Sequence, residues 1–112
     1  MISGAHSIIY SKDPEADKTF FKDVLHFPNV DLGHGWLIFA LPPAEIAVHP
    51  ANENKDSEIY LICDDIHSFT QEMSAQAIPC SPVSDQRWGL LVYLTLPGGG
   101  RLGVYEARHA RP

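Results

Sequence analysis

Apolar and polar positions along the chain predict two similar halves, each with a strand, a helix and three further strands. In the first half, residues 6–10 are rich in isoleucine and predict a strand. Asp13 and Pro14 then mark a helix start, because Asp accepts hydrogen bonds at helix N-termini and Pro fits the first helical position. A short segment at 29–32 and apolar runs at 36–41 and 45–49 predict three later strands.

The second half follows a polar stretch at residues 52–57 and repeats this order. Residues 58–63 predict a strand, and Asp65 predicts the start of the second helix. The apolar stripe of that helix comprises Ile66, Phe69, Met73 and Ala77. A short strand near residue 80 and longer ones at 90–96 and 102–105 complete the half.

The spacing of matching residues indicates an internal duplication. Three pairs share an offset of 52 residues: His6 with Glu58, Asp13 with Asp65, and Trp36 with Trp88. Later matches lie at offsets of 55 and 56, so short insertions accumulate in loops. We therefore expect a single domain over residues 1–112, built from modules at about 3–50 and 57–107, whose free sheet faces enclose a concave ligand site.

Composition excludes some classes of partner. Eight Lys and Arg against fourteen Asp and Glu give a net charge of −6, which argues against a nucleic-acid groove, since such grooves neutralise phosphates with clustered cations. The longest apolar stretch, at 36–48, is interrupted by two prolines and a glutamate and is shorter than the ~20 residues that cross a bilayer. We expect no nucleic-acid partner and no membrane partner.

The cysteines and the start of the chain bear on the compartment. The first twenty residues lack the basic start and apolar run of a signal peptide. Cys63 and Cys80 are therefore predicted to be reduced thiols in a cytoplasmic protein, with Cys63 inside an apolar strand.

The chain as a whole resembles the vicinal oxygen chelate superfamily of glyoxalases, bleomycin resistance proteins and extradiol dioxygenases. The matching features are His6 followed by Asp13, the run TFFKDVLHF at 19–27 with His26 where glycine is usual, CDDI at 63–66, and LPGGG at 96–100. This resemblance implies an α+β fold of paired βαβββ modules, whose strands form a curved mixed sheet (an open half-barrel) with the helices on its outer face. It also implies a homodimer.

Metal-dependent members of that superfamily hold their ion with four inward-facing ligands on the first and last strands of the modules. By resemblance, the corresponding positions here are His6, Ala47, Glu58 and Gly103. His6 and Glu58 can bind a cation, whereas Ala47 and Gly103 have no ligand atom in their side chains. The resemblance therefore implies a small-molecule-binding protein with no metal cofactor.

The alternative is a metal-dependent lyase, isomerase or dioxygenase that holds Zn, Ni, Mn or Fe through His6, His49 and Glu58. A catalytic ion needs about three protein ligands and an open position for substrate. His49 lies two residues past Ala47, about 6.6 Å along a strand, so only a bulge or a changed register brings it to the ion. In a purely structural interpretation, His6 and Glu58 are simply hydrogen-bonded to each other.

Aromatic side chains form the second set of candidates. They either pack in the core or wall an apolar groove, where their faces suit planar or cationic ligands. The predicted ligand-binding residues are His6, Glu58, Trp36, Trp88, Phe39, Tyr60 and Tyr93. The net negative charge favours a cationic or polar-aromatic ligand.

The favoured function is therefore binding of a small molecule, with the metal-dependent enzyme second and a degenerate interaction domain third. No catalytic residue is assigned. The three glycines at 98–100 precede no helix, so they predict a hairpin turn rather than a phosphate loop. Pairing of the halves within one chain and exchange between two chains bury the same faces, so the sequence is compatible with either arrangement.

Overall fold

The structure is a computed structural model that describes residues 7–45, 47, 50–54 and 56–110. Helix α1 (Pro14–Thr19) continues as a π-helical segment (Phe20–Val24), and helix α2 covers Ile66–Ala75. Among these residues the strands are β1 (Asn29–Asp31), β2 (Leu37–Phe39), β3 (Tyr60–Cys63), β4 (Ser84–Gln86), β5 (Gly89–Thr95) and β6 (Arg101–Ala107).

The strands form two open sheets. Strands β1 and β2 pair antiparallel in one sheet. The second sheet has the order β3-β6-β5-β4, with β3 parallel to β6 and the other neighbours antiparallel. This is the predicted α+β class with a mixed sheet, and it is not closed into a barrel over the described residues. Neither helix in that part of the chain is long and apolar enough to cross a membrane.

Both helices begin at an aspartate, as the sequence predicts, and their first residues lie 52 positions apart. The Asp13 carboxylate accepts a hydrogen bond from the backbone amide of Ala16 at 3.2 Å. Asp65 accepts from the amides of His67 and Ser68 at 3.0 and 3.1 Å. The bond from the Ser68 amide is the main cause that lowers the pKa of Asp65. Each carboxylate thus satisfies amides that have no partner within the helix.

The hydrophobic core lies between α2 and the four-stranded sheet. Alternate residues of β5 and β6 point towards α2, as the pleat of a strand requires. The buried core residues are Phe20, Ile66, Met73, Val92, Leu94, Leu96, Leu102 and Val104. Phe20 belongs to the first half of the sequence, so the first helical segment packs on the core of the second half.

A hairpin turn between β5 and β6 confirms the prediction made for the three glycines. The Gly99 amide donates to the Leu96 carbonyl at 2.8 Å, and Gly99 has a φ of +94° that favours glycine. The Gly98 amide donates to the buried carboxylate of Asp17 in α1 at 2.8 Å. This hydrogen bond joins the first helix to the second half of the chain.

The first half has less regular structure than its sequence predicts. Residues 7–10 form no strand, and the described residues of the predicted strand at 45–49, Glu45 and Ala47, are not in one either. His6 and His49 lie outside the described residues. The physical reason is that the described residues supply no neighbouring strand with which 7–10 pairs, and β1 and β2 pair only with each other.

Candidate ligand-binding site

The candidate site lies on the face of the four-stranded sheet that points away from α2. Because side chains alternate along a strand, the residues between the core positions of β5 and β6 lie on this opposite face. The strand register places Gly103 of β6 directly between Tyr60 of β3 and Tyr93 of β5. Three adjacent strands thus contribute one residue each to a single row.

Gly103 makes room for the two tyrosine rings. A Cβ atom at position 103 would overlap the ring of Tyr60 and lie 3.3 Å from the ring of Tyr93. Only glycine therefore lets these rings lie over the middle strand without displacement.

The two tyrosines belong to an aromatic cluster that comprises Tyr60, Trp88, Tyr93 and Tyr105. The Tyr60 ring centre lies 6.4 Å from those of Trp88 and Tyr93 and 6.2 Å from that of Tyr105. Trp88 and Tyr105 meet edge to face at 5.0 Å. Such edge-to-face contacts are favourable and hold the rings in fixed orientations. Trp88 is 38% exposed, so the cluster presents aromatic surface to solvent.

Polar groups at one end of the cluster are linked through Tyr60. Its hydroxyl donates to the exposed Glu58 carboxylate at 2.9 Å and lies 3.3 Å from the hydroxyl of Tyr93. The hydroxyl of Tyr93, partial burial and the bond to Glu58 together raise the pKa of Tyr60 above its ordinary value. A tyrosine is protonated at neutral pH even at its ordinary pKa, and the rise makes Tyr60 still harder to deprotonate, in keeping with its role as the hydrogen-bond donor to Glu58.

An open depression of about 220 Å³ adjoins these rings, and we call it the groove. It is lined by Glu58, Ile59, Tyr60, Tyr93, Arg101 and Gly103. The guanidinium carbon of Arg101 lies 3.9 Å from the centre of the Tyr93 ring, which is a cation–π contact. The groove thus combines aromatic walls with one carboxylate and one guanidinium.

The structure brings together four of the residues predicted from sequence. Glu58, Tyr60 and Tyr93 line the groove, and Trp88 lies in the adjoining cluster. The predicted pairing of Glu58 with His6 falls partly outside the described residues, and within them the partner of Glu58 is Tyr60.

The two aromatic candidates from the first half lie in the other sheet region. Trp36 is 70% exposed next to β2, and the Phe39 ring packs 5.7 Å from that of Phe21. Sequence reasoning missed Arg101 and Tyr105, which share a strand face with Gly103. The alternation of 101, 103 and 105 on the last strand is the signal that places both on the face of Gly103, although it does not fix the register that brings Arg101 next to Tyr93.

The described residues do not fit a resident metal ion. Ala47 and Gly103 offer no ligand atom, and the space that a side chain at position 103 would need holds the Tyr60 ring. Across the described ranges, no three His, Cys, Asp or Glu side chains are grouped closely enough to hold an ion. The alternative set of His6, His49 and Glu58 has two members outside those ranges.

The fold places this chain in a structural class. It has the fold of the glyoxalase, bleomycin resistance and dioxygenase superfamily, which confirms the fold that the sequence resemblance implied. No protein-family model and no curated protein matches the sequence.

Three solved structures show the likeness. The antibiotic binding protein TnmS3 from Streptomyces sp. CB03234 superposes with a TM-score of 0.69 at 19% identity, over 95% of this chain and 97% of that one. Lactoylglutathione lyase from Agrobacterium tumefaciens gives a TM-score of 0.64 at 18% identity, over 93% of this chain and 92% of that one. A glyoxalase/bleomycin resistance protein/dioxygenase superfamily member from Sphaerobacter thermophilus DSM 20745 gives 0.62 at 20% identity, over 94% and 98%.

Proposed function

We propose that this protein binds a planar aromatic small molecule in the groove and does so without a metal cofactor. The observation that carries the proposal is the row of Tyr60, Gly103 and Tyr93, in which the absence of a side chain at 103 makes room for two rings that line an open depression. Aromatic walls with a few polar groups are typical of small-molecule sites. TnmS3, an antibiotic binding protein of the same fold, supports a binding function.

The chemistry of the nearby groups favours binding over catalysis. The raised pKa of Tyr60 makes loss of its proton harder than for an ordinary tyrosine, so its phenolate is less available as a base. Cys63 does not line the groove but packs against the core, and burial and the Glu106 carboxylate raise the pKa of its thiol to about 11, so it is not a thiolate at neutral pH. The metal-dependent enzyme is the second candidate, and it rests on His6, His49 and Glu58.

We further propose that the working form is a homodimer, since the described residues leave large apolar side chains of the first half exposed to solvent. Much of the exposed apolar surface comes from Ile8, Ile9, Tyr10, Val30, Leu32, Trp36 and Leu41. Sedimentation equilibrium should then give about 25 kDa, twice the mass of one chain.

The two thiols bear on the proposed compartment. Cys63 and Cys80 are both free. Free thiols persist in a reducing environment, which supports the proposal that this is a cytoplasmic protein.

A thermal-shift screen with planar aromatic compounds tests the groove. Hits should raise the melting temperature of the wild type and lose that effect in Tyr93→Ala, which removes one wall. The matched control is His67→Ala, which removes an exposed ring from α2 on the other side of the sheet. If hits stabilise the Tyr93→Ala variant as strongly as the wild type, the groove is not the binding site.

Metal analysis tests the second candidate. Protein purified without chelator should hold well under one divalent ion per chain, and added Ni²⁺, Zn²⁺, Co²⁺ or Mn²⁺ should leave its melting temperature unchanged. A stoichiometric ion that is lost in His6→Ala would contradict the metal-free proposal and support the enzyme.

A further inference from the structure

Arg101 is placed at the groove by the strand register. Arg101 pairs with Thr95 across the β5–β6 hairpin, and Gly103 pairs with Tyr93. Arg101 and Tyr93 are therefore diagonal neighbours on the same face, close enough for long side chains to meet. The guanidinium lies 3.9 Å over the Tyr93 ring, so its position is held by the stack.

Stacking occupies the face of the guanidinium and leaves its edge free. The five N–H donors of an arginine lie in the guanidinium plane and match carboxylate oxygens two at a time. Within the described residues, Arg101 donates no hydrogen bond to the protein and has no carboxylate within 4.0 Å. Arg108 differs, because its guanidinium is bonded to Asp85 and to the Gln86 carbonyl.

The other charged group of the groove is already engaged. Glu58 accepts the Tyr60 hydroxyl at 2.9 Å, and no ion pair links Glu58 to Arg101 in the described structure. The groove thus has a carboxylate that already accepts a hydrogen bond from the protein and an exposed guanidinium that donates none to the described residues. The charged group that remains available to a ligand is the cation.

From this arrangement we infer that the ligand of the groove is a planar aromatic anion, such as an aromatic carboxylate, whose charged group binds the edge of Arg101. The inference rests on the proposed function and names its ligand class. The ring of the ligand lies against the aromatic cluster, and its anionic group lies away from Glu58. The net charge of −6 favours a cationic ligand, whereas Arg101 favours an anionic one. The contact with Arg101 outweighs the distant charges, since these are screened by salt.

Isothermal titration calorimetry with three probes of one shape tests the inference. The probes are 2-naphthoate, neutral 2-naphthamide and cationic 2-naphthylmethylammonium. We expect 2-naphthoate to bind the wild type roughly tenfold more tightly than 2-naphthamide, a difference of about 1.4 kcal/mol. Added NaCl should reduce that advantage, since it screens the charge of a partly exposed site.

Two variants locate the effect. Arg101→Gln should weaken the binding of 2-naphthoate about tenfold and leave the binding of 2-naphthamide unchanged. Because Arg101 is exposed, the melting temperature of this variant should stay near that of the wild type. Lys22→Gln removes the same charge from the exposed surface of the π-helical segment and should change neither affinity.

The outcomes separate the two proposals. Equal binding of 2-naphthoate and 2-naphthamide, or preference for the ammonium probe, overturns the anion inference and leaves the aromatic groove standing. Loss of 2-naphthoate binding in Lys22→Gln to the same extent as in Arg101→Gln also overturns it. If none of the three probes binds the wild type, the proposed function and the inference both fail.

Discussion

The two halves of the chain share a sequence pattern and differ in burial. Strand β5 of the second half has seven residues, and four of them are buried: Gly89, Leu91, Val92 and Leu94. Strand β2, which follows the matching tryptophan of the first half, has three residues, all of them half-buried. The second half has a helix on its sheet, whereas the helical segment of the first half packs its Phe20 into the core of the second.

This difference shows that burial depends on partners and not on the apolar pattern alone. Strand β5 has β4 and β6 on its two sides, and α2 covers one of its faces. Strand β2 has β1 on one side, and apolar residues near it such as Leu32 and Trp36 are 64% and 70% exposed. Large apolar residues left exposed beside a strand are typical of a surface that another molecule covers, which supports the proposed dimer.

The largest expected effect compares one leucine from each half. Leu94→Ala empties a fully buried position of β5 and should lower the free energy of unfolding by about 3 kcal/mol. Leu32→Ala removes the same atoms from a position that is 64% exposed, and in dilute monomer it should cost less than about 0.5 kcal/mol. Urea unfolding measures both. Equal losses in dilute monomer would show that the first half has its own core.

The link between the halves is the next test. Asp17 is 5% exposed, and its carboxylate accepts the Gly98 amide of the β5–β6 turn at 2.8 Å. Asp17→Ala leaves that amide without its charged acceptor and should cost roughly 2 kcal/mol. Asp17→Asn keeps an acceptor oxygen and should cost less. The control is Asp23→Ala, an exposed carboxylate in the adjoining π-helical segment, and a loss there as large as in Asp17→Ala would contradict the link.

The row of residues at the site gives the third prediction. Gly103→Ala places a methyl group where the Tyr60 ring lies and should lower the free energy of unfolding by roughly 1.5 kcal/mol through overpacking. Gly100→Ala is the matched control, because a Cβ there meets only a Leu96 methyl at 3.8 Å and the residue has no positive φ. Thermal unfolding compares the two variants. If Gly103→Ala is as stable as Gly100→Ala, the position of the Tyr60 ring does not depend on the absence of a side chain at 103.

Part of the fold follows from the sequence because its signals are local. The starts of both helices depend on Asp13 and Asp65, whose short carboxylates bond to amides two or three residues away. The hairpin at 98–100 likewise depends on a glycine with positive φ. The predicted strands at 6–10 and 45–49 are different, because a strand forms only when another strand is beside it. Strand partners are a property of the tertiary or quaternary structure, and no local pattern encodes them.

The sequence predicts part of the candidate site, as it predicts part of the fold. Tyr60 and Tyr93 stand out as aromatic residues in strands, and both line the groove. Trp36 has the same sequence signal as Trp88, but in the described structure it lies apart from the cluster because the two sheets are separate. The position of Arg101 depends on the register of the β5–β6 hairpin, which sequence spacing alone does not fix.

A smaller effect is expected from the hydroxyl of Tyr60. Tyr60→Phe removes its bond to Glu58 and its contact with Tyr93 and should cost about 1 kcal/mol at neutral pH. Because the folded pKa of Tyr60 is raised, this stabilisation is complete below about pH 10 and is lost as the pH rises through the folded value. Absorbance at 295 nm should show one tyrosine that ionises late in the wild type. If Tyr60→Phe still shows the late component, another tyrosine is responsible.

The smallest effect concerns how each half ends its helix, and here the two halves are alike. His26 and Ala77 have φ values of +59° and +58°, a conformation that costs a residue with a Cβ about 1–2 kcal/mol. After α2, the amides of Ala77 and Ile78 donate to the carbonyls of Ser74 and Met73, so the strained residue satisfies the last turn of the helix.

Glycine removes the strain but adds freedom to the unfolded chain, so Ala77→Gly should raise the free energy of unfolding by only about 0.5–1 kcal/mol. Ala75→Gly, at the last residue of α2, should instead lower it, by less than the roughly 1 kcal/mol that glycine costs in a helix interior. His26→Gly should stabilise by less than Ala77→Gly, because histidine tolerates positive φ better than alanine does. Urea unfolding of the three variants ranks them, and a destabilised Ala77→Gly would mean that the helix ends elsewhere in solution.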